Sequence, residues 1–120
     1  MKVLLDTNFI LSSIRKKIDF FEELKFMGAK ILIPSQVISE LTRITESKKK
    51  LRFREEAKLG LKLLEKNNYE KIDLGINYVD KGILKFIEKN PETIVASLDV
   101  EIKKKSRKKL IIRGKKLEIL

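Results

Sequence analysis

Four acidic side chains stand where carboxylates are costly. Asp6 directly follows the apolar run Val3-Leu4-Leu5, and Asp99 follows Thr93-Ile94-Val95-Ala96-Ser97 after a single leucine. Both are expected at the carboxyl ends of strands, where open parallel α/β sheets place their ligands. Glu40 falls in the row Val37, Glu40, Leu41, Ile44, and Asp80 in the row Asp80, Ile83, Leu84, Ile87. These i, i+3, i+4, i+7 sets are otherwise apolar and predict helix faces turned toward the sheet. An ionised carboxylate at such a place costs several kcal/mol, by rough estimate, unless something positive compensates it. No lysine or arginine falls within these rows, so a divalent cation held by oxygen ligands is the economical compensation. Mg²⁺ or Mn²⁺ suits such a set better than zinc. Such an ion turns water into a nucleophile and stabilises the charge growing on a phosphate under attack, with no need for histidine.

Each acid also has a role that involves no chemistry. Asp6, Asp80 and Asp99 each precede or open a helix, where a carboxylate caps free N–H groups or meets the favourable end of the dipole. Glu40 has Arg43 at i+3 as an ion-pair partner. Four such coincidences are harder to accept than one shared site.

Composition narrows the chemistry further. With no cysteine and no histidine, disulfides, thiol nucleophiles, imidazole acid–base catalysis and the usual zinc sites are excluded. A formal net charge of +11 raises the local concentration of a polyanion, which makes nucleic acid the first partner to consider. A Lys- and Glu-rich surface of the thermophilic kind accounts for the same charge without a partner. No apolar run approaches the roughly 20 residues of a membrane span. The opening Met1-Lys2-Val3-Leu4-Leu5 meets Asp6 too soon to be a secretion signal, so a cytoplasmic protein is expected.

The elements that must position these acids follow from periodicity. Strands are expected at Lys2–Leu5, Lys30–Ile33 closed by Pro34, Tyr69–Asp73 and Thr93–Ser97, with one or two more around Gly114. Helical spacing covers Thr7–Ile14, Asp19–Met27 stopped by Gly28, a helix capped by Ser35, Leu51–Lys66, Tyr78–Lys89 and Asp99–Lys105. Strands alternating with helices predict one α/β/α domain over residues 1–120, around a central, mainly parallel sheet of four to five strands.

The motifs resemble those of the PIN domain, a small α/β nuclease module, over nearly the whole chain. Val3-Leu4-Leu5-Asp6-Thr7-Asn8 is similar to the family's strand followed by Asp-Thr-Asn. Pro34 to Leu41, Val79 to Leu84 and Ile94 to Ile102 are similar to the segments carrying its second, third and fourth acids, with Ser97 where threonine is commoner. The resemblance implies a metal-dependent endoribonuclease in which Asp6, Glu40, Asp80 and Asp99 hold one or two Mg²⁺ or Mn²⁺ ions, supported by Asn8 and Ser97. It also implies RNA as substrate and a homodimer. Two branches fit: pre-ribosomal RNA processing on a pre-ribosomal particle, which a basic helix after Asp99 resembles, and VapC-type toxins with an antitoxin partner.

Lys103, Lys104, Lys105, Arg107, Lys108 and Lys109 put six basic residues among seven close behind Asp99. This is expected to be a backbone-binding flank for RNA near the acids, giving salt-sensitive affinity but little sequence readout. Arg52 and Arg54 belong to a second basic cluster that opens a helix, against its dipole. Phe53 between them is expected in the core, with base stacking as the alternative. Two other functions fit parts of the pattern. One is an RNA-binding scaffold without turnover. The other is an aspartyl phosphotransfer domain, which Asn8 argues against because the phosphatase pattern wants a second aspartate there.

Overall fold

Val3–Leu5, Ile31–Ile33 and Ile94–Ala96, the most apolar runs of the chain, become the centre of one sheet. The computed structural model describes residues Met1–Leu120. In chain order the elements are β1 (Lys2–Leu5), α1 (Thr7–Arg15), α2 (Phe20–Phe26), β2 (Lys30–Pro34), α3 (Ser35–Thr45) and α4 (Leu51–Lys66). They continue with β3 (Glu70–Ile72), α5 (Val79–Lys89), β4 (Ile94–Ala96), α6 (Val100–Lys105), β5 (Lys108–Arg113) and β6 (Lys116–Ile119). The strand order is β3-β2-β1-β4-β5-β6, parallel throughout except for the antiparallel β6.

Both segments around Gly114 form strands, so the sheet has six, where four to five were expected in the central sheet. The extra strand is half of a hairpin. Gly114 takes φ +63 at the first of the two turn residues between Arg113 and Lys116, a conformation a side chain would resist. Helix α3 also starts differently from the expectation that Ser35 caps it. Pro34, at φ −64 and ψ 141, occupies the cap position without a side-chain hydrogen bond, and Ser35 is already helical.

Parallel strands need crossovers, and these are right-handed in nearly all proteins. The chain moves outward from β1 to β2 to β3, then returns to lay β4 on the other side of β1. Reversing direction puts the later crossovers on the opposite face. Accordingly α1, α3 and α4 pack on one another, and α5 packs on α6. Between them lies one cluster of 26 buried apolar residues that includes Val3, Leu4, Leu5, Phe9, Ile33, Leu41, Ile83, Val95 and Ile102. No helix is long and apolar enough to cross a membrane.

Two glycines mark how closely helices approach their neighbours. A Cβ on Gly82 of α5 would sit 2.8 Å from the Leu74 Cβ, whereas one on Gly60 of α4 would meet the flexible tip of Ile14 at 3.2 Å. Replacing a helical glycine by alanine gains roughly 1 kcal/mol of propensity. Gly60→Ala should therefore be neutral or stabilising, while Gly82→Ala should lose about 1–3 kcal/mol through forced backbone displacement. Urea denaturation of the two variants checks this, and equal effects would show that Leu74 yields freely.

Candidate functional site

The reversal of strand order falls between β1 and β4, and there the first and last acids meet. Pairing of β1 with β4 runs up to Asp6, whose N–H donates to the Ala96 carbonyl at 3.0 Å. Asp6 is 4% exposed. Its Oδ1 accepts from the Thr7 N–H and its Oδ2 from the Ser97 hydroxyl, each at 2.7 Å. The same Ser97 oxygen accepts from the Asp99 N–H at 3.0 Å. Ser97 thus ties the end of β1 to the start of the β4–α6 turn. Asp99 caps α6, its Oδ1 accepting from the Ile102 N–H at 3.0 Å. Capping and a place in the site are therefore compatible, because one Asp99 oxygen remains outside the cap.

Glu40 and Asp80 come to the same end of the sheet from α3 and α5, but not from within the core. Val37 and Leu41 are buried while Glu40 is half-buried, and Ile83 and Ile87 are buried while Asp80 is exposed. This corrects the expectation that both carboxylates face the sheet. Glu40 lies at the edge of its apolar stripe, and Asp80 lies in the first turn of α5, where a residue can reach past the core. The full desolvation argument thus holds for Asp6 alone. Arg43 forms no ion pair with Glu40, and the four ion pairs of the protein, Arg15–Glu56, Lys30–Glu70, Arg107–Glu92 and Arg113–Glu118, leave all four acids unpaired.

Mutual repulsion shows which acids are neighbours. Burial pushes the Asp6 carboxyl up to about 6, against the lowering effect of its bonds to Ser97 and Thr7, and the charges of Asp80 and Glu40 push it further. Asp80 is also raised, first by desolvation and then by Asp99, Glu40 and Glu101. Glu101, in the first turn of α6, is a member the sequence reading passed over. Its signal was an acid two residues beyond Asp99 at a helix start, which also suits a solvated polar face.

These acids are neighbours without forming a closed cage, since no three of them converge tightly enough to enclose an ion. The donor chemistry nevertheless fits a hard divalent cation. All donors are carboxylate oxygens, no basic side chain neutralises them, and burial makes Asp6 ionise reluctantly. Mg²⁺ in particular keeps several waters and binds through few carboxylates, so an open set suits it.

The basic run divides. Helix α6 stops at Lys105, Ser106 turns to an extended conformation, and Lys108 and Lys109 open β5. In the parallel register Lys108 pairs with Ile94, at the end of β4 away from Asp99. Only Lys103, Lys104 and Lys105 lie on the helix that starts at Asp99, so the run leaves the acids rather than lining them. Arg107 lies 3.4 Å from Glu92 at an exposed position. The Arg54 Nε donates to the Lys49 carbonyl at 3.1 Å, which fixes the α3–α4 loop. Arg52 lies over the Phe53 ring, 4.8 Å from its centroid. Phe53 itself is half-buried, not a core residue. Asn8 is exposed, and with Leu98 it borders a cavity that Arg15, Lys49 and Phe53 also line.

A doubly wound α/β sheet carrying unpaired carboxylates at its switch point describes a class of ligand-binding fold. The model of the PIN like domain family matches residues 3–114, and the chain belongs to that family. It is 33% identical to the ribonuclease VapC4 of Methanocaldococcus jannaschii over 122 residues, spanning 96% of this chain and 92% of that one. Among solved structures it is similar to the PIN domain endonuclease Utp24, with TM-score 0.78 and 23% identity over 98% of this chain and 90% of that one. It is also similar to VapBC2 from Rickettsia felis bound to a promoter DNA fragment, with TM-score 0.52 and 18% identity over 87% and 92%. These two likenesses concern the fold.

The raised Asp6 carboxyl has a consequence for stability. Its ordinary value is 3.8 and its folded value about 6, so the folded protein holds this proton more tightly than the unfolded chain. Below about pH 4 the group is protonated in both states and opposes nothing. As pH rises from about 4 through about 6 the unfolded chain gives up this proton first and stability is lost, up to roughly 3 kcal/mol at 1.36 kcal/mol per pKa unit. Asp6→Asn should raise the melting midpoint at pH 8 in EDTA and change it little at pH 4. Thermal melts at the two pH values check this, and an unchanged or lowered midpoint at pH 8 would contradict it.

Proposed function

We propose that this protein is a divalent-cation-dependent endoribonuclease acting at Asp6, Glu40, Asp80 and Asp99. The observation that carries the reading is the gathering of these acids, without a basic partner, at the β1/β4 switch point. The 33% identity to a ribonuclease over almost the whole chain supports RNA as the substrate. Mg²⁺ or Mn²⁺ held among these carboxylates with several of its own waters would supply Lewis-acid stabilisation and a nucleophile from water at neutral pH. The chain's own residues prepare the site. Ser97 and Thr7 hold both Asp6 oxygens in place, Ser97 fixes the Asp99 backbone, and the α6 cap fixes one Asp99 oxygen. The scissile phosphate would approach over the carboxyl ends of β1 and β4, the surface that Asn8 and Leu98 border.

The relative of VapC type favours a toxin with an antitoxin partner, active in the cytoplasm, over pre-ribosomal processing. The processing reading rests on the basic run, half of which stands away from the acids.

Single-stranded and hairpin RNA should be cut in Mg²⁺ or Mn²⁺ and left intact in EDTA. Asp99→Asn should reduce kcat/KM by about a hundredfold or more, and Ser97→Ala by roughly 10–100-fold, the usual cost of losing a group that orients a metal ligand. Calorimetry that detects no divalent-ion binding to the wild type would overturn the mechanism. Growth arrest on expression, relieved by a neighbouring small gene, would mark a toxin, and normal growth would speak against one.

The α6 lysines should contribute salt-dependent affinity. The triple substitution Lys103→Ala, Lys104→Ala, Lys105→Ala should make the slope of log affinity against log salt shallower by about two for single-stranded RNA. Anisotropy titrations across a salt series measure this, and an unchanged slope would remove α6 from the RNA path.

A further inference from the structure

Beside the carboxylates, between α1 and α4, lies a cavity of about 220 Å³ that the cleavage chemistry does not use. Asn8 and Leu98 join it to the site, being two residues past Asp6 and one before Asp99. Its apolar lining includes Ile44, Phe53 and Leu98, and its charged lining is Arg15 and Lys49, with no acid among the residues that form it. We propose that this cavity seats one unstacked base of single-stranded RNA, next to the phosphate that the carboxylates act on. The proposal rests on the ribonuclease reading and adds to it a subsite for the base.

Four features support a nucleotide. The volume is below the roughly 300–1,000 Å³ of pockets for drug-sized ligands, which suits a single flat ring. Leu98 is 42% exposed between the buried Ser97 and the half-buried Asp99, an apolar side chain held in solvent at the rim of the site. Phe53 offers a half-buried ring, and aromatic rings stack on bases of any sequence. The cations are arranged for a polyanion. Glu56 holds Arg15 through two bonds, Nε to Oε2 at 3.0 Å and Nη2 to Oε1 at 2.9 Å. That leaves the guanidinium 5.5 Å from the Phe53 centroid, and Arg52 lies 4.8 Å from the same ring without an acidic partner.

Arg52 can therefore give up its place over the ring to a base and meet the adjoining phosphate. Lys49 is set for the same purpose. Its N–H donates to the Ser47 hydroxyl at 3.2 Å and its carbonyl accepts from Arg54, so the loop carrying its ammonium is fixed before RNA arrives. A duplex keeps its bases stacked inside, so the subsite selects single strands.

The test is anisotropy binding of a labelled single-stranded RNA to the full chain in EDTA, where no turnover intervenes. Phe53→Leu, which keeps apolar volume, should weaken binding about fivefold or more, the lower range for losing one stacked base. Lys49→Ala, in an exposed loop, should also weaken it, with both melting midpoints unchanged. Abasic substitution along the RNA should find one position whose loss is no longer additive with Phe53→Leu. Full affinity in both folded variants overturns the subsite, as does additivity at every position. Loss of a co-purifying protein partner with RNA affinity intact also overturns it and assigns the cavity to protein. A wild type that binds with this abasic signature but cleaves no RNA overturns the ribonuclease reading and supports the subsite.

Discussion

The Ser97 hydroxyl is the hinge on which the site depends. It donates to Asp6 at 2.7 Å and accepts from the Asp99 N–H at 3.0 Å, so one side chain spans the seam between two adjacent parallel strands. The seam is where the chain reverses its direction across the sheet, and no crossover covers the strand ends there. Asp6 and Ser97 are buried there, so their polar atoms must be satisfied by hydrogen bonds. Ser97 makes its bonds while buried at 2% exposure, where a polar group without partners would cost stability. Asp6 and Asp99 are thereby held at fixed places relative to each other, which is what a shared ligand requires.

The site is built against the interest of the fold. Asp6 is buried, its ionisation is resisted, and no lysine or arginine relieves it. In a protein with a formal charge of +11, a basic partner would have been easy to supply. The hydrophobic cluster around β1, β2 and β4 absorbs the cost of leaving these carboxylates without one. Glu40 and Asp80 bear less of it. They stand at the rim, half-buried and exposed, where water screens their repulsion.

Positive charge is distributed differently from the linear sequence. Lys103 to Lys109 looks like one basic flank, but a short helix followed by a strand carries it from the acid end of the sheet to the other. The cations that line the cavity beside Asn8 and Leu98 come from separate elements. Arg15 comes from α1 and Lys49 from the α3–α4 loop, and they meet around Phe53 because α1 packs on α4. Arg15 and Lys49 are 34 positions apart in the sequence, so no local pattern could pair them.

How much was legible in the sequence differs between elements for physical reasons. The strands of the sheet centre, the helices and the placing of Asp6 and Asp99 at strand ends followed from periodicity, since burial on both faces demands continuous apolar runs. The hairpin that makes a sixth strand was less visible, because β5 and β6 are partly exposed and carry lysines at their ends. Side-chain depth was not legible. An apolar row tells which way a helix faces but not where the sheet stops, so Glu40 and Asp80 read as core residues and stand at its edge. Glu101 and the Arg15–Lys49–Phe53 cavity were likewise settled by crossovers that bring distant segments together. By itself the sequence determined the four acids and the strands and helices that carry them. Only the tertiary structure decided which acid is truly buried, which neighbours raise its pKa and where the cations stand, because these depend on distances between segments far apart in the chain.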